Sequence, residues 1–366
     1  MKHGKRNILI TGVSGRWGGL VARRLLAESG VHVLGIDRRT PEHAMAGLDF
    51  VRADVRNPLL GELMAAEGVD AVVHLAFREC QWRREEDFNG NVLGTMQLVG
   101  SCAEAGVRQV VLRSTMAVYG ALPSHPMYLP EDWPLSHQGV YAYVRDAVEI
   151  EDFVHGFSVE YPEMAIAILR FAHVLGPEMS SPLARLLNLP AAPVLLGFDP
   201  LLQVVDAVDA VEGLARAALG DMQGPVNVAA QGVLPLTAIT GMAGRPPLPI
   251  MHWWAYWGRA LAASVPAMRR ALAWLPMEPD HLRYACTGEL QRMASDLGLT
   301  PRYAATAAVE RYAEFLRSRP FRAGADRDRC TADGPGEDAW RRASWSGSPD
   351  RAPSRAAWLG WEGDHG

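Results

Sequence analysis

The chain is poor in cysteine, in long apolar runs and in surplus positive charge. Its four cysteines, Cys80, Cys102, Cys286 and Cys330, are scattered through 366 residues without CxxC spacing. That argues against a zinc site and against a disulfide framework, and for reduced thiols in the cytoplasm. No stretch reaches the ~18 consecutive apolar residues of a membrane span. The basic start, Met1-Lys2-His3-Gly4-Lys5-Arg6, runs into glycines after one short strand, so it is no signal peptide. A formal net charge of -5, with no basic face, removes the electrostatic case for nucleic acid. There is no P-loop, no Gly-x-Ser-x-Gly elbow and no cluster with metal-ligand spacing, so no metal is expected.

What the chain does have is an apolar strand, Ile8-Leu9-Ile10, running into Thr11-Gly12-Val13-Ser14-Gly15-Arg16-Trp17-Gly18 and then a helical pattern through Leu20, Leu25 and Leu26. Glycines are needed where a pyrophosphate must approach backbone amides, and the helix N-terminus meets its negative charge. Gly12, Ser14, Gly15, Arg16, Trp17 and Gly18 are therefore candidate dinucleotide contacts. Asp37 closes the next strand 19 residues past Gly18, near the ~20 expected of a carboxylate on the adenosine ribose. A carboxylate there repels a 2′-phosphate and favours NAD over NADP, although Arg38 and Arg39 follow at once and soften that repulsion.

From residue 7 to about 172, strands (7–11, 31–37, 48–51, 69–76, 107–114, 164–171) alternate with helices (17–29, 58–67, 84–105, 144–160). This is the pattern of an α/β, Rossmann-type doubly wound parallel sheet. Residues 1–175 read as the nucleotide-binding domain, with 201–230 returning to it. Residues 176–200 and 231–319 read as a smaller C-terminal substrate-binding region. The tryptophan-rich stretch 250–275 reads as helices packed over a substrate cleft; a membrane-surface or partner-binding segment is the alternative. Residues 320–366, rich in Arg, Asp, Gly, Ser and Pro, bury too little to order and read as a disordered tail.

Further candidates fall at strand ends. Asp54 and Val55 follow the third strand, where a carboxylate can accept from an adenine amino group. Leu75 and small Ala76 end the fourth and let its backbone pass close to a ribose. Asn91 sits on the next helix, where it can satisfy otherwise orphaned backbone groups. Thr115 follows the fifth strand, at the end of the sheet that carries chemistry. Tyr141 and Tyr143 open a helix; a tyrosine that moves protons needs its pKa of ~10 lowered by a nearby cation. Arg78, His173 and Gln203 are candidate substrate contacts, against the plainer readings of a surface ion pair for Arg78 and a satisfied core residue for His173.

These motifs resemble the extended short-chain dehydrogenase/reductases, in the NAD-dependent epimerase/dehydratase family. The resemblance runs from residue 7 to about 318 and includes Ser114-Thr115-Met116-Ala117-Val118-Tyr119-Gly120, Leu169-Arg170, Gly176-Pro177 and Pro225-Val226-Asn227-Val228-Ala229. It implies Thr115 as the catalytic hydroxyl, a tyrosine as proton carrier, and a small polar substrate, nucleotide sugars being the branch's habitual class and steroid- or polyketide-like alcohols the next. The family's Tyr-x-x-x-Lys is incomplete: counting from Tyr141 puts Arg145 in the lysine position, and counting from Tyr143 puts Ala147 there. Glu149 and Glu151 favour Tyr143 as the motif tyrosine. Arg145 is a permanent cation but does not replace an ammonium atom for atom. Phe171 stands where the family has proline. Restoring lysine at 147 is expected to leave activity unchanged or raise it. The missing lysine leaves a second reading open, a catalytically impaired NAD-binding sensor or partner subunit. A homodimer is also left open.

Overall fold

Strand-forming aliphatic runs separated by helices fold here as parallel crossovers. The computed structural model describes residues 6–81, 85–139, 141–177, 179–264 and 275–318. The expected disordered tail, 320–366, lies outside them, as does part of the 250–275 stretch. The first six strands are β1 (Arg6–Thr11), β2 (Val31–Asp37), β3 (Leu48–Arg52), β4 (Ala71–His74), β5 (Gln109–Thr115) and β6 (Ala165–Phe171). After them come β7 (His173–Leu175), β8 (Ala192–Leu195), β9 (Leu201–Leu202), β10 (Val204–Asp206), β11 (Gly224–Val228), β12 (Leu234–Pro235) and β13 (Pro247–Ile250). Seven of these form one parallel sheet in the order β11-β6-β5-β4-β1-β2-β3. The order reverses at β1, where Thr11 pairs with Ile36 on one side and His74 on the other. Ligands of such sheets bind at this reversal, beyond the carboxyl ends of the strands.

Both faces are covered. α1 (Arg16–Leu26) and, later in the chain, α7 (Ala207–Leu219) bury Val21, Leu25 and Leu214 on one face. α2 (Leu60–Ala66), α4 (Gly94–Glu104) and α5 (Ala142–Glu160) bury Leu63, Leu98 and Val154 on the other. The helix expected over 84–105 is broken. α3 (Glu85–Phe88) gives way to a π-helical turn at Asn89–Leu93 before α4 begins. There the Gly94 N–H reaches back five residues to the Asn89 carbonyl, and the Thr95 hydroxyl donates to the Asn91 carbonyl. Such single π turns mark functional sites, because they re-aim a side chain; here the side chain is Asn91.

A second apolar cluster gathers the C-terminal elements. α6 (Pro182–Leu187), α8 (Leu236–Met242), α9 (His252–Ser264), α10 (Gln291–Ser295) and α11 (Ala305–Ser318) follow in chain order. Leu187, Ile239, Ala255, Leu282 and Tyr312 meet in it, beside the short pairings β8–β13 and β9–β12. Cys102 and Cys286 are free thiols, as expected. Cys80 departs from that expectation because it is disulfide-bonded, a bond that depends on which sulfurs meet in space and not on sequence spacing.

Candidate active site

The three motif glycines do different work. Gly12 has φ +69°, and a Cβ there would lie 2.8 Å from the Ala76 nitrogen. A Cβ on Gly18 would lie 2.2 Å from the Gly12 carbonyl oxygen. Both glycines are therefore demanded by the protein's own packing. A Cβ on Gly15 would meet only that same oxygen, at 3.1 Å. Its bare Cα leaves open space beside the first turn of α1, where no side chain caps the helix. The N-terminal amides of a helix beside such an opening suit a pyrophosphate. Trp17 contributes packing as well: its ring lies 5.4 Å from Phe171 and 5.1 Å from the Arg113 guanidinium carbon.

Asp37 holds the glycine turn from the end of β2. One carboxylate oxygen accepts the Ser14 N–H at 3.1 Å and the other the Arg39 N–H at 3.0 Å. Asp54 is gripped by Arg56, which donates from Nε and Nη2 at 2.9 and 2.8 Å. Arg38 turns toward the same carboxylate, at 3.5 Å. Val55 packs so near Gly94 that a Cβ there would come within 2.9 Å of it. Asn91 accepts the Arg78 N–H at 2.9 Å, donates to the Arg78 carbonyl at 3.0 Å and donates to Asp146 at 2.8 Å. It thus pins the chain just past β4, where Leu75 is buried and Ala76 approaches Gly12.

A buried file of polar groups joins these strands. Thr11 Oγ1 lies 2.7 Å from His74 Nδ1, and His74 Nε2 lies 2.9 Å from Thr95 Oγ1. Burial first, and Arg113 second, push the His74 pKa from 6.5 down to about 4. Between those two values the unfolded chain binds a proton that the folded chain refuses. Stability is full above pH ~6.5 and falls on acidification toward pH 4, by up to about 3 kcal/mol from this residue. His173, pushed down to about 3 by burial, adds in the same direction. Denaturant melts at pH 7, 5.5 and 4.5 are expected to show the fall, with a shallower one in His74→Asn.

At the other end of the site, Thr115 caps the turn Met116–Tyr119 by accepting the Ala117 N–H at 3.2 Å. Tyr141 and Tyr143 point to different fates. The Tyr141 hydroxyl lies 2.7 and 2.9 Å from the carbonyls of Leu275 and Met277, and its N–H donates to Glu278. Tyr143 is 5% exposed, and its hydroxyl has no hydrogen-bond partner among the described residues. Burial and the Glu278 carboxylate raise its pKa well above the usual value, while Arg185 acts in the opposite direction. The chain's two lysines, Lys2 and Lys5, both precede β1, so no ammonium is available among the described residues. Ala147 sits in an apolar cluster with Val118 and Val148, flanked by Phe77 and Leu135. A lysine at 147, expected to leave activity unchanged or raise it, would have to carry its ammonium past this hydrocarbon. Arg145 is part-buried, and its Nε has no partner.

Two sequence candidates are engaged elsewhere. Both ends of the Gln203 amide bond the Gly288 backbone, at 2.8 and 3.1 Å, so Gln203, just before β10, is held against residue 288. Arg78 pairs with the buried Asp87 at 3.2 Å while its own side chain stays half exposed. The expectation overlooked Arg185, His281 and Arg113. Arg113 pairs with Glu79 at 2.5 Å. Arg185 Nε and Nη2 and His281 Nε2 are buried without partners, and both residues bear on His173. Single basic residues in a proline-rich stretch carry no sequence signal; only the fold brings them together.

The sequence matches the NAD dependent epimerase/dehydratase family over residues 8–229. It is 31% identical over 324 residues to an uncharacterized protein of Mycobacterium tuberculosis (strain ATCC 25618 / H37Rv), covering 85% of this chain and 84% of that one. It is 34% identical over 155 residues to the UDP-glucose 4-epimerase of Mycolicibacterium smegmatis, covering 39% of this chain and 49% of that one. Among solved structures it resembles UDP-glucuronic acid 4-epimerase from Bacillus cereus in complex with UDP-glucuronic acid and NAD. That match has a TM-score of 0.66 at 18% identity and covers 85% of this chain and 99% of the other.

Proposed function

This chain belongs to the NAD dependent epimerase/dehydratase family, and from that we propose that it is an NAD-dependent enzyme acting on a hydroxyl or keto carbon of a small anionic substrate, a nucleotide sugar being the class that fits best. The observation that carries this reading is the buried Arg185 guanidinium, whose Nη1 donates to the Ser180 carbonyl at 3.4 Å while Nε and Nη2 have no partner among the described residues, in the same fold whose first turn is open beside Gly15. Buried donors without partners are costly unless a ligand supplies the acceptors. A diphosphate or carboxylate supplies them; an uncharged steroid-like alcohol does not. The named activities of the M. smegmatis relative and the B. cereus neighbour, both on UDP-sugars, support the same class.

In this reading Gly15 and the first amides of α1 receive the pyrophosphate, Asp37 takes the ribose hydroxyls, and Asp54 retains an acceptor for the adenine amino group. NAD, when bound, supplies the site that takes or returns a hydride. Thr115 orients the substrate oxygen, and Tyr143 gives or takes its proton. Tyr143 is preferred to Tyr141 as carrier because the Tyr141 hydroxyl is engaged by two carbonyls. Arg145 and Arg185 are the cations that stand in for the absent lysine, acting by charge alone.

One observation favours the second reading, an NAD-binding sensor or partner subunit with impaired catalysis: Tyr143 is held neutral by burial, and the position of the family's lysine is filled by hydrocarbon. The experiment that separates the two is a thermal-shift titration with NAD, NADH, NADP and NADPH, followed by turnover of UDP-sugars. Ligand at a hundredfold excess over Kd adds ~2.7 kcal/mol, or roughly 3–5 °C for a chain of this size. A shift with NAD(H) and turnover support the enzyme. A shift without turnover of any hydroxyl or keto sugar supports the sensor, and no shift at all ends both readings. Gly15→Ala is expected to erase the shift while moving the ligand-free melting point by less than ~2 °C, because its Cβ meets one oxygen only.

A further inference from the structure

Nε and Nη2 form one edge of a guanidinium, two parallel donors spaced to meet the two oxygens of a carboxylate. Arg56 turns this edge on Asp54, Arg170 on Glu151 and Arg24 on Glu212. Arg185 has the same edge buried and unmatched. Neither atom has a partner among the described residues, and Nη1 alone is engaged, by the Ser180 carbonyl. The helix that carries the edge is firmly seated. Ser181 caps α6 by accepting the Ala184 N–H, and Leu183, Ala184, Leu186 and Leu187 are each 0% exposed. Two buried donors held in this way cost stability unless a ligand supplies their acceptors.

The fold ties α6 to the groups that would do the chemistry. α6 packs on β7, which His173 opens. Leu282, in the turn Pro279–Leu282, shares an apolar cluster with Leu183 and Leu187. Glu278, just before that turn, accepts the N–H of Tyr141, the N-cap of the helix whose first turn holds Tyr143. His281, in the same turn, is 6% exposed, and its Nε2 has no partner. Burial lowers the pKa of His281 and, with His281 and Arg185 nearby, brings that of His173 down to about 3. Both rings are therefore neutral at pH 7, and a neutral imidazole donates from one nitrogen and accepts at the other, as a sugar hydroxyl requires. Arg185 brings a single positive charge. A carboxylate meets it with two coplanar oxygens and a single negative charge, whereas a diphosphate brings more charge than one buried guanidinium balances. We infer that the sugar of the substrate carries a carboxylate, received side-on by Arg185 Nε and Nη2 beside His173 and His281. The inference rests on the nucleotide-sugar reading and narrows it to sugar acids. Arg185 bears on Tyr143 as well as on His173, so the carboxylate and the reacting carbon belong to the same sugar.

The test is calorimetric titration of the full chain, in the presence of NAD, with UDP-glucuronate, UDP-glucose, UDP and free glucuronate. UDP-glucuronate is expected to bind at least about tenfold more tightly than UDP-glucose. Arg185→Gln is expected to bring it down to the affinity of UDP-glucose. Arg185→Lys, which keeps the charge without the two-donor edge, recovers only part of the difference. Cooperative ligand-free melting of both variants establishes that they are folded. Equal affinity of the parent chain for the two UDP-sugars overturns the inference and leaves the nucleotide-sugar reading standing. Equal weakening of UDP and UDP-glucuronate by Arg185→Gln also overturns it, because the arginine then serves the diphosphate. If no UDP compound binds, the nucleotide-sugar reading fails. Free glucuronate bound by the parent and lost in Arg185→Gln would then still support the carboxylate, and its failure to bind overturns both.

Discussion

Tyr143→Phe is expected to lower kcat by about 10²–10⁴-fold while leaving NAD affinity unchanged. The substitution removes one hydroxyl that has no hydrogen-bond partner among the described residues, so the fold has nothing to lose from it. The effect is confined to proton transfer. Burial and Glu278 raise the Tyr143 pKa, and Arg185 opposes them. Arg185→Met therefore raises that pKa further and moves the alkaline limb of the kcat profile to higher pH. It also raises KM for an anionic substrate. Tyr141→Phe behaves differently, because its hydroxyl is engaged by the Leu275 and Met277 carbonyls. That change costs about 1 kcal/mol of stability with little effect on kcat per folded molecule. Turnover that survives Tyr143→Phe and is abolished by Tyr141→Phe would reverse the two roles.

The largest effect on stability is expected at a buried pair behind the site. Glu151 accepts from Arg170 Nε and Nη2 at 2.9 and 2.6 Å, and its other oxygen takes the Ser114 hydroxyl at 2.5 Å. Arg170 Nη1 donates to the Tyr119 hydroxyl at 2.7 Å, and Tyr119 donates to Asn227 at 2.8 Å. Burial pushes Tyr119 up to about 12, so it stays a neutral donor. The network joins β5, β6, β11 and α5, with each charge matched. Arg170→Met leaves the Glu151 carboxylate, 3% exposed, without its cation. The expected cost is about 3–5 kcal/mol, a fall in melting point of roughly 4–7 °C. The double variant Glu151→Met, Arg170→Met should recover much of that loss, since it removes the uncompensated charge along with the pair. A double variant no more stable than Arg170→Met would mean that packing, and not charge, holds these strands.

These residues also mark where sequence reading reaches its limit. Ser114, Tyr119, Arg170 and Asn227 all lie in segments that resemble the family, and a linear motif does not say which of its residues touch a ligand. In the fold these four turn toward one another, and Thr115, next to Ser114, caps the turn that follows β5. Tyr141 and Tyr143 are two residues apart, yet the first is the N-cap of α5 and the second lies in its first turn. That difference sends one hydroxyl to the 275–277 carbonyls and leaves the other unclaimed.

The sequence by itself determined the features that depend on neighbours along the chain. The aliphatic runs of β1, β4 and β5 specify parallel strands buried on both faces. Gly12, Gly15 and Gly18 specify the turn into α1, and Asp37 falls at the end of the next strand. Each follows from local sterics or a short fixed spacing. The tertiary structure decided what depends on distant segments meeting. It brought Arg185 to bear on Tyr143, engaged Gln203 with Gly288, drew Asn91 onto a π turn, and stood the α9 tryptophans outward. Burial, pairing and the availability of a hydroxyl are set by whatever packs against a side chain from elsewhere in the fold, and no spacing along the chain encodes that.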